Sequence, residues 1–130
     1  MRRTLQTILI VLAIIPLGFG AMNLFFGAER FLPIEDVTAA IDSQLRFQSA
    51  WYLGLAAIIF WIVPRIERET ALFRIIILSL FVGGAARAWS WFTLGSPPVG
   101  MQFGMYLELA LPLLLPLQAR VATGRRTAQR

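Results

Sequence analysis

The feature that most constrains this chain is a run of 25 residues, 4–28, without a single charged side chain. A helix needs about 20 predominantly apolar residues to cross the hydrocarbon core of a bilayer. The run exceeds the roughly 7–15 apolar residues of a signal-peptide core, although Arg2 and Arg3 give it a basic start. We therefore expect a retained membrane helix at the start of the chain.

Three more apolar segments follow, separated by charged residues and turns. Hydrophobic residues make up 58% of the 130 residues, more than a soluble domain of this length can bury. We predict an all-α membrane protein in which four transmembrane helices form one antiparallel bundle, a single domain over residues 1–130. The predicted spans are 5–26, 45–63, 72–92 and 101–119.

Signals for helix ends lie between these spans. Residues 34–41 are predicted to form a short surface helix, and Asp42 or Ser43 is expected to cap the second span. Pro64 is expected to end that span, and Thr70 to cap the third.

A proline interrupts the fourth span. Pro112 has no N–H, so the carbonyl of Glu108, four residues earlier, should lose its helical partner. Together with Pro116, it predicts a bent or loosened helix and a free carbonyl at residue 108.

The orientation follows from the arginines, since every basic residue is Arg. Cytoplasmic segments of membrane proteins carry an excess of basic residues. The first connection has only Arg30 and Arg46, and the third has none. We expect a multi-pass protein of the bacterial cytoplasmic (inner) membrane with both termini and the second connection in the cytoplasm. The arginines on that side are Arg2, Arg3, Arg65, Arg68, Arg74, Arg120, Arg125, Arg126 and Arg130.

Four polar residues fall in the outer half of the predicted bundle: Asn23, Arg46, Arg87 and Glu108. By the predicted spans, Arg87 and Glu108 lie roughly 8 and 10 Å deep, so we expect them to meet. Small residues share a helix face with each of the four and should point inward. These faces comprise Pro16, Gly20, Asn23 and Gly27; Arg46, Ala50, Gly54 and Ala57; Ser79, Gly83 and Arg87; and Gly104, Glu108 and Pro112.

Each polar residue also has a structural interpretation. Arg87 and Glu108 can form an ion pair that only holds two helices together, because an unpaired charge at that depth costs several kcal/mol. Arg46 can extend to the interface, and Asn23 can make an interhelical hydrogen bond. The aromatic residues near the outer ends are typical of an interfacial belt, with a stacking surface for a quinone or lipid ring as the alternative: Trp51, Tyr52, Trp89, Trp91 and Tyr106.

The residue types exclude several functions. There is no Cys and no His, and no nucleophile–base pair is visible, so we predict no catalytic residue, no metal site and no cofactor. The net charge of +5 is spread over chain ends and connections, which does not favour nucleic-acid binding.

Several motifs, in this order, resemble the bacterial membrane family catalogued as domain of unknown function 4345. They are Gln44-Leu45-Arg46, Gly83-Gly84-Ala85-Ala86-Arg87, Gly95-Ser96-Pro97 and Glu108, and the resemblance covers about residues 5–118. It implies four membrane helices but no established activity. Quinone-linked four-helix proteins of the DoxX type look similar in layout.

These observations favour a non-enzymatic membrane protein with an outward-facing polar pocket inside the bilayer. The pocket would bind or pass a small polar or anionic ligand or a lipid, with Asn23, Arg46, Arg87 and Glu108 around it. One alternative is a structural accessory subunit with a membrane-protein partner. Another is a quinone- or lipid-linked membrane enzyme.

Overall fold

The computed structural model of the chain describes residues 1–128, and their side chains as far as Gly124. The predicted orientation also uses Arg125, Arg126 and Arg130. Arg130 and the side chains of the other two lie outside the described residues.

Helices make up nearly all of the described chain, which contains no strand between residues 1 and 128. The α-helices are α1 (Arg2–Phe26), α2 (Ala39–Ile62), α3 (Thr70–Leu94), α4 (Val99–Ala110) and α5 (Leu114–Ala128). Short 3-10 segments occupy Gly27–Arg30, Ile34–Asp36, Val63–Arg65 and Leu111–Leu113.

Four helical stretches are long and apolar enough to cross a membrane, which confirms the predicted fold class. They are Arg2–Arg30, Ala39–Arg65, Thr70–Leu94 and Val99–Gly124, and the last contains α4, a 3-10 turn and the start of α5. The break at Leu111–Leu113 confirms that the prolines loosen the fourth span.

Two predictions about the chain just before and at the start of α2 are wrong. Thr38, and not Asp42 or Ser43, caps α2, since its extended backbone lets Oγ1 accept the N–H of Ile41 at 3.2 Å. The predicted surface helix over 34–41 is only the 3-10 turn Ile34–Asp36, and α2 begins at Ala39 after two extended residues. A membrane helix can continue beyond the hydrocarbon, so its polar first turns need not form a separate element.

The start of α3 also differs from the prediction. Thr70 is the first residue of the helix and not its cap, and the capping position is occupied by Glu69 without a side-chain hydrogen bond to the helix. The Thr70 hydroxyl instead accepts a hydrogen bond from Gln118, a residue far along the chain.

The chain divides into two compact units. The α1–α2 unit comprises Gln6–Pro64, and the α3–α5 unit comprises Met1–Leu5 with the chain from Arg65 onward. In the α3–α5 unit, α3 packs against α4, the 3-10 turn Leu111–Leu113 and α5. The prediction of a single domain stays a prediction.

Within the α1–α2 unit, α1 and α2 pack closely at Gly20. A Cβ there would lie 3.0 Å from the Ser49 carbonyl oxygen and 3.1 Å from Leu53 Cγ. Gly20, Asn23 and Gly27 are all buried, so most of the predicted inward face of α1 is correct.

The predicted inward face of α2 is wrong, because Ala50, Gly54 and Ala57 are exposed. The neighbouring face is buried instead, and Ser49 can lie on it because its hydroxyl donates to the Leu45 carbonyl of its own helix at 2.7 Å. The buried residues of α2 are Ser49, Ala56, Ile59 and Ile62.

Candidate functional site

The predicted contact between Arg87 and Glu108 is present in the α3–α5 unit. Arg87 Nε lies 3.1 Å from Glu108 Oε2. Arg87 is seven residues before the end of α3 at Leu94, and Glu108 is nine residues after the start of α4 at Val99, or about 10 and 14 Å along the helices. In a membrane, both charges would therefore lie well below the ends of the apolar helices.

The two side chains differ in exposure. The Glu108 side chain is 18% exposed and the Arg87 side chain 37% exposed. Glu108 Oε2 itself is buried, and among the described residues no donor makes a well-aligned hydrogen bond to it. Its contact with Arg87 Nε is therefore an ion pair and not a well-aligned hydrogen bond. The carboxylate is thus the inner partner, and the guanidinium is the group that reaches the surface of the unit.

Two adjacent glycines of α3 let Glu108 approach. A Cβ on Gly84 would lie 2.9 Å from Glu108 Cβ and 3.2 Å from the backbone nitrogen of Leu109. Gly83 is next to the carboxylate but leaves room, since its Cβ would lie 4.0 Å from Oε2. Gly84 therefore sets the distance between α3 and α4, as small residues do in membrane helix pairs.

We expect Gly84→Ala to destabilise the α3–α4 packing by about 1–3 kcal/mol, the usual cost of overpacking a well-filled contact. Backbone as well as side-chain atoms oppose the new methyl group, so the helices must move apart. Gly83→Ala is the matched control and should change stability little. Thermal unfolding in detergent measures both, and equal melting temperatures for the two variants would contradict this account.

The backbone of Glu108 does not behave as predicted. Its carbonyl is not free, because it accepts the N–H of Leu111, three residues on, where α4 passes into the 3-10 turn. The shorter 3-10 hydrogen bond thus replaces the bond that Pro112 cannot make. Residue 108 offers its carboxylate alone.

An aromatic contact lies beside this ion pair. Trp91, one turn after Arg87 on α3, meets Tyr106 of α4 edge to face with ring centroids 6.1 Å apart. Trp89 and Tyr106 are exposed, as the interfacial belt requires. The belt and the stacking surface both stay predictions.

Arg46 and Asp42 form a second charged site, in the α1–α2 unit. Arg46 Nε donates to Asp42 Oδ2 at 2.7 Å, and Arg46 Nη1 donates to the Leu24 carbonyl at 2.6 Å. Asp42 Oδ1 accepts the N–H of Ala28 at 2.9 Å. A cation at the end of a helix is favourable because the last carbonyls lack partners. We call Gly27, Asp42 and Arg46 the corner clasp, since the two side chains hold the turn at which α1 ends.

Asn23, in the last turn of α1, contacts the same turn. Its Oδ1 accepts a hydrogen bond from Arg30 Nη1 at 2.6 Å, so the expected hydrogen bond to another membrane helix is wrong. Arg30 also lies over the ring of Phe31, with Cζ 5.4 Å from the centroid. Asn23 is buried, and the partner removes the cost of burying its carbonyl.

The four predicted site residues are thus divided between the units, and each has a partner within its own. Asn23 and Arg46 are held in the α1–α2 unit, and Arg87 and Glu108 in the α3–α5 unit. Arg46 is not a source of net positive charge, because Asp42 offsets it, and its place at the membrane interface stays a prediction. A pocket formed by all four stays a prediction.

Sequence reasoning missed one buried polar residue, Gln118. Its side chain is 0% exposed, and its Nε2 donates to the Ile66 carbonyl at 3.1 Å and to Thr70 Oγ1 at 2.9 Å. The only signal was an amide near the end of an apolar segment, which is also where an exposed interfacial residue would stand. These bonds fasten α5 to the turn before α3.

Comparison with known proteins gives one match. The model of a family described as "Domain of unknown function (DUF4345)" matches residues 4–118. No curated protein and no solved structure matches the chain.

Proposed function

We propose that this chain, which belongs to the family described as Domain of unknown function (DUF4345), binds the acidic group of a small ligand or a lipid within the membrane. Arg87 would contact the ligand, and Glu108 would hold Arg87 in position. The protein would act by binding or passing this ligand, without catalysing a reaction.

The observation that carries the proposal is a partly exposed guanidinium deep within apolar helices. Arg87 is 37% exposed although it lies about 10 Å from the end of α3. Ionisable residues inside membrane spans are costly, so they usually face a cavity, a partner or a transported group. An acidic ligand would compensate this cost better than hydrocarbon does.

Glu108 suits a positioning role. It is the less exposed member of the pair, and its oxygen contacts the Nε edge of the guanidinium. Arginine binds carboxylates and phosphates through two parallel N–H groups, which favours ligands with such planar or anionic heads. A fixed Nε edge would hold the guanidinium in one orientation toward the ligand.

We also propose that both termini face the cytoplasm of a bacterial inner membrane, with the Arg87–Glu108 pair in the outer half. The arginine distribution supports this orientation. A green fluorescent protein fused after Arg120 should fluoresce, and alkaline phosphatase at the same place should be inactive. The reverse result would place the termini outside.

The binding proposal can be tested with oleate and oleyl alcohol, which share a chain but differ in charge. Native mass spectrometry of the full-length protein should show oleate retained at least tenfold more than the alcohol. Arg87→Gln should abolish that difference, and Arg30→Gln, which changes an arginine of the other unit, should not. A preference for phosphatidylglycerol over phosphatidylcholine that depends on Arg87 would identify a lipid headgroup as the natural source of the charge.

Two results would overturn the proposal: equal retention of acid and alcohol, or unchanged oleate binding by folded Arg87→Gln protein. A stoichiometric membrane protein in the same spectra would instead favour a structural accessory subunit. The exposed small residues of α2 support that alternative, because Ala50, Gly54 and Ala57 would let another helix approach closely.

A further inference from the structure

The charges of this chain are sorted by position. The two ends and the second connection hold nine arginines and only two glutamates, a net charge of seven positive. The first connection and the start of α2 hold four acidic residues and two arginines, a net charge of two negative. Arg87 and Glu108 cancel. The net charge of +5 therefore results from strongly basic ends and second connection and a weakly acidic first connection.

The structure brings the basic segments together within the α3–α5 unit. Arg2 Nε lies 3.2 Å from Glu67 Oε1, which ties the start of α1 to the turn before α3. Gln118 donates to the Ile66 carbonyl and to Thr70 Oγ1, which ties α5 to the same turn. Six arginines of these segments are exposed, and we call them the arginine collar: Arg2, Arg3, Arg65, Arg68, Arg74 and Arg120.

Buried residues anchor the backbone that carries the collar. Ile66 and Gln118 are 0% exposed and Phe73 is 2% exposed, so the turn is anchored on its inner side. The Arg68 N–H donates to the Arg65 carbonyl at 2.7 Å, which fixes the backbone between these two arginines. Because the arginines start from a fixed backbone, a ligand would have to order only their side chains.

By charge count, acidic groups offset only part of the collar. Glu67 and Glu69 are the acidic residues of this turn, and Glu67 is engaged with Arg2. Six arginines against two glutamates leave four positive charges among the described side chains. They stand where apolar helices begin or end, which in a membrane is the level of the lipid phosphates.

We propose that the arginine collar is a binding surface for the phosphates of anionic phospholipids. Several headgroups would bind at once, each contacting arginines from different segments. This surface lies at the ends of the helices, whereas Arg87 and Glu108 lie about 10 Å or more inside them, so it is separate from the ligand site proposed above.

Native mass spectrometry with equimolar phosphatidylglycerol and phosphatidylcholine tests this surface. The wild-type protein should retain phosphatidylglycerol preferentially. Arg68→Gln and Arg74→Gln should each reduce the preference roughly fivefold, and the double variant about 25-fold, as expected for arginines near an anionic membrane surface. Arg68→Lys combined with Arg74→Lys keeps the charges and should keep most of the preference.

Arg30→Gln is the control, because it removes one arginine from the acidic first connection and should leave the phosphatidylglycerol preference unchanged. An equal loss of the phosphatidylglycerol preference in Arg30→Gln would show that the net charge of the whole chain attracts the lipid. It would overturn the proposal of a local binding surface. So would an unchanged preference in the Arg68→Gln/Arg74→Gln protein. Arg87→Gln separates the two proposals, since it should abolish the preference for oleate over oleyl alcohol and leave intact the phosphatidylglycerol preference that depends on Arg68 and Arg74.

Discussion

Replacing either Arg87 or Glu108 with leucine should destabilise the protein by about 2–3 kcal/mol, and replacing both should cost much less than the sum. Each single variant leaves one charge among apolar helices without the partner that lies 3.1 Å away. The double variant removes both charges and leaves leucines of suitable size. Because we expect the double variant to be about as stable as the wild type, the coupling energy between the two positions should equal the sum of the two single losses, about 4–6 kcal/mol.

Steric trapping in phosphatidylcholine bicelles, which offer the arginine collar no anionic lipid, gives the unfolding free energies for this cycle. Arg74→Leu is a matched control, because it makes the same substitution in α3, at an exposed position one turn from the helix start. It should change stability by less than about 0.5 kcal/mol. Strictly additive losses for Arg87→Leu and Glu108→Leu would show that the contact contributes nothing to folding.

The cycle also bears on the proposed function. If the double variant folds as well as the wild type but no longer retains oleate, the pair is kept for the ligand and not for stability. If it loses stability and binding together, the pair also serves to hold α3 and α4. Buried ion pairs can often be replaced by apolar residues without loss of stability, so the first result is the one we expect.

The helices themselves could be predicted from the sequence because the charges mark them. A charge-free run such as 4–28 has one stable arrangement in a bilayer, since a helix satisfies every backbone hydrogen bond internally. The Arg87–Glu108 contact was predictable for a related reason. Two opposite charges at similar depth on neighbouring helices gain more from each other than from hydrocarbon.

Other features depended on which of several polar partners is nearest, and sequence spacing does not decide that. Asp42 has the chemistry of a helix cap, yet its carboxylate binds Ala28 and Arg46 while Thr38 makes the cap. Asn23 could have bonded any facing helix, but Arg30 lies within reach only after the chain has turned at Gly27.

The face of α2 was mispredicted for a similar reason. Small residues occur on two of its sides, and the buried one was decided by close packing at Gly20 of α1 rather than by the spacing from Arg46. The pattern on one helix cannot reveal which side its neighbour will contact when both sides carry small residues.

The corner clasp makes the second large effect. Gly27→Ala should destabilise the protein by about 2–4 kcal/mol, for two reasons that add. Gly27 has a φ of +64°, which a residue with a Cβ adopts only at a cost. A Cβ there would also meet Asp42 Oδ1 and would lie 2.6 Å from Arg46 Nη2, so the side chains that hold the end of α1 would have to move.

Gly18→Ala is the control, within α1 and nine residues before Gly27, with nothing within 4 Å of the added methyl group. Alanine is favoured over glycine within a helix by roughly 0.5–1 kcal/mol, so this variant should be slightly more stable than the wild type. In an Asp42→Ala background the cost of Gly27→Ala should shrink toward the backbone contribution alone, about 1–2 kcal/mol, because one of the opposing side chains is gone. Unfolding free energies for the wild type and these four variants would contradict the clasp if Gly27→Ala costs the same with and without Asp42, since the glycine would then serve only the backbone.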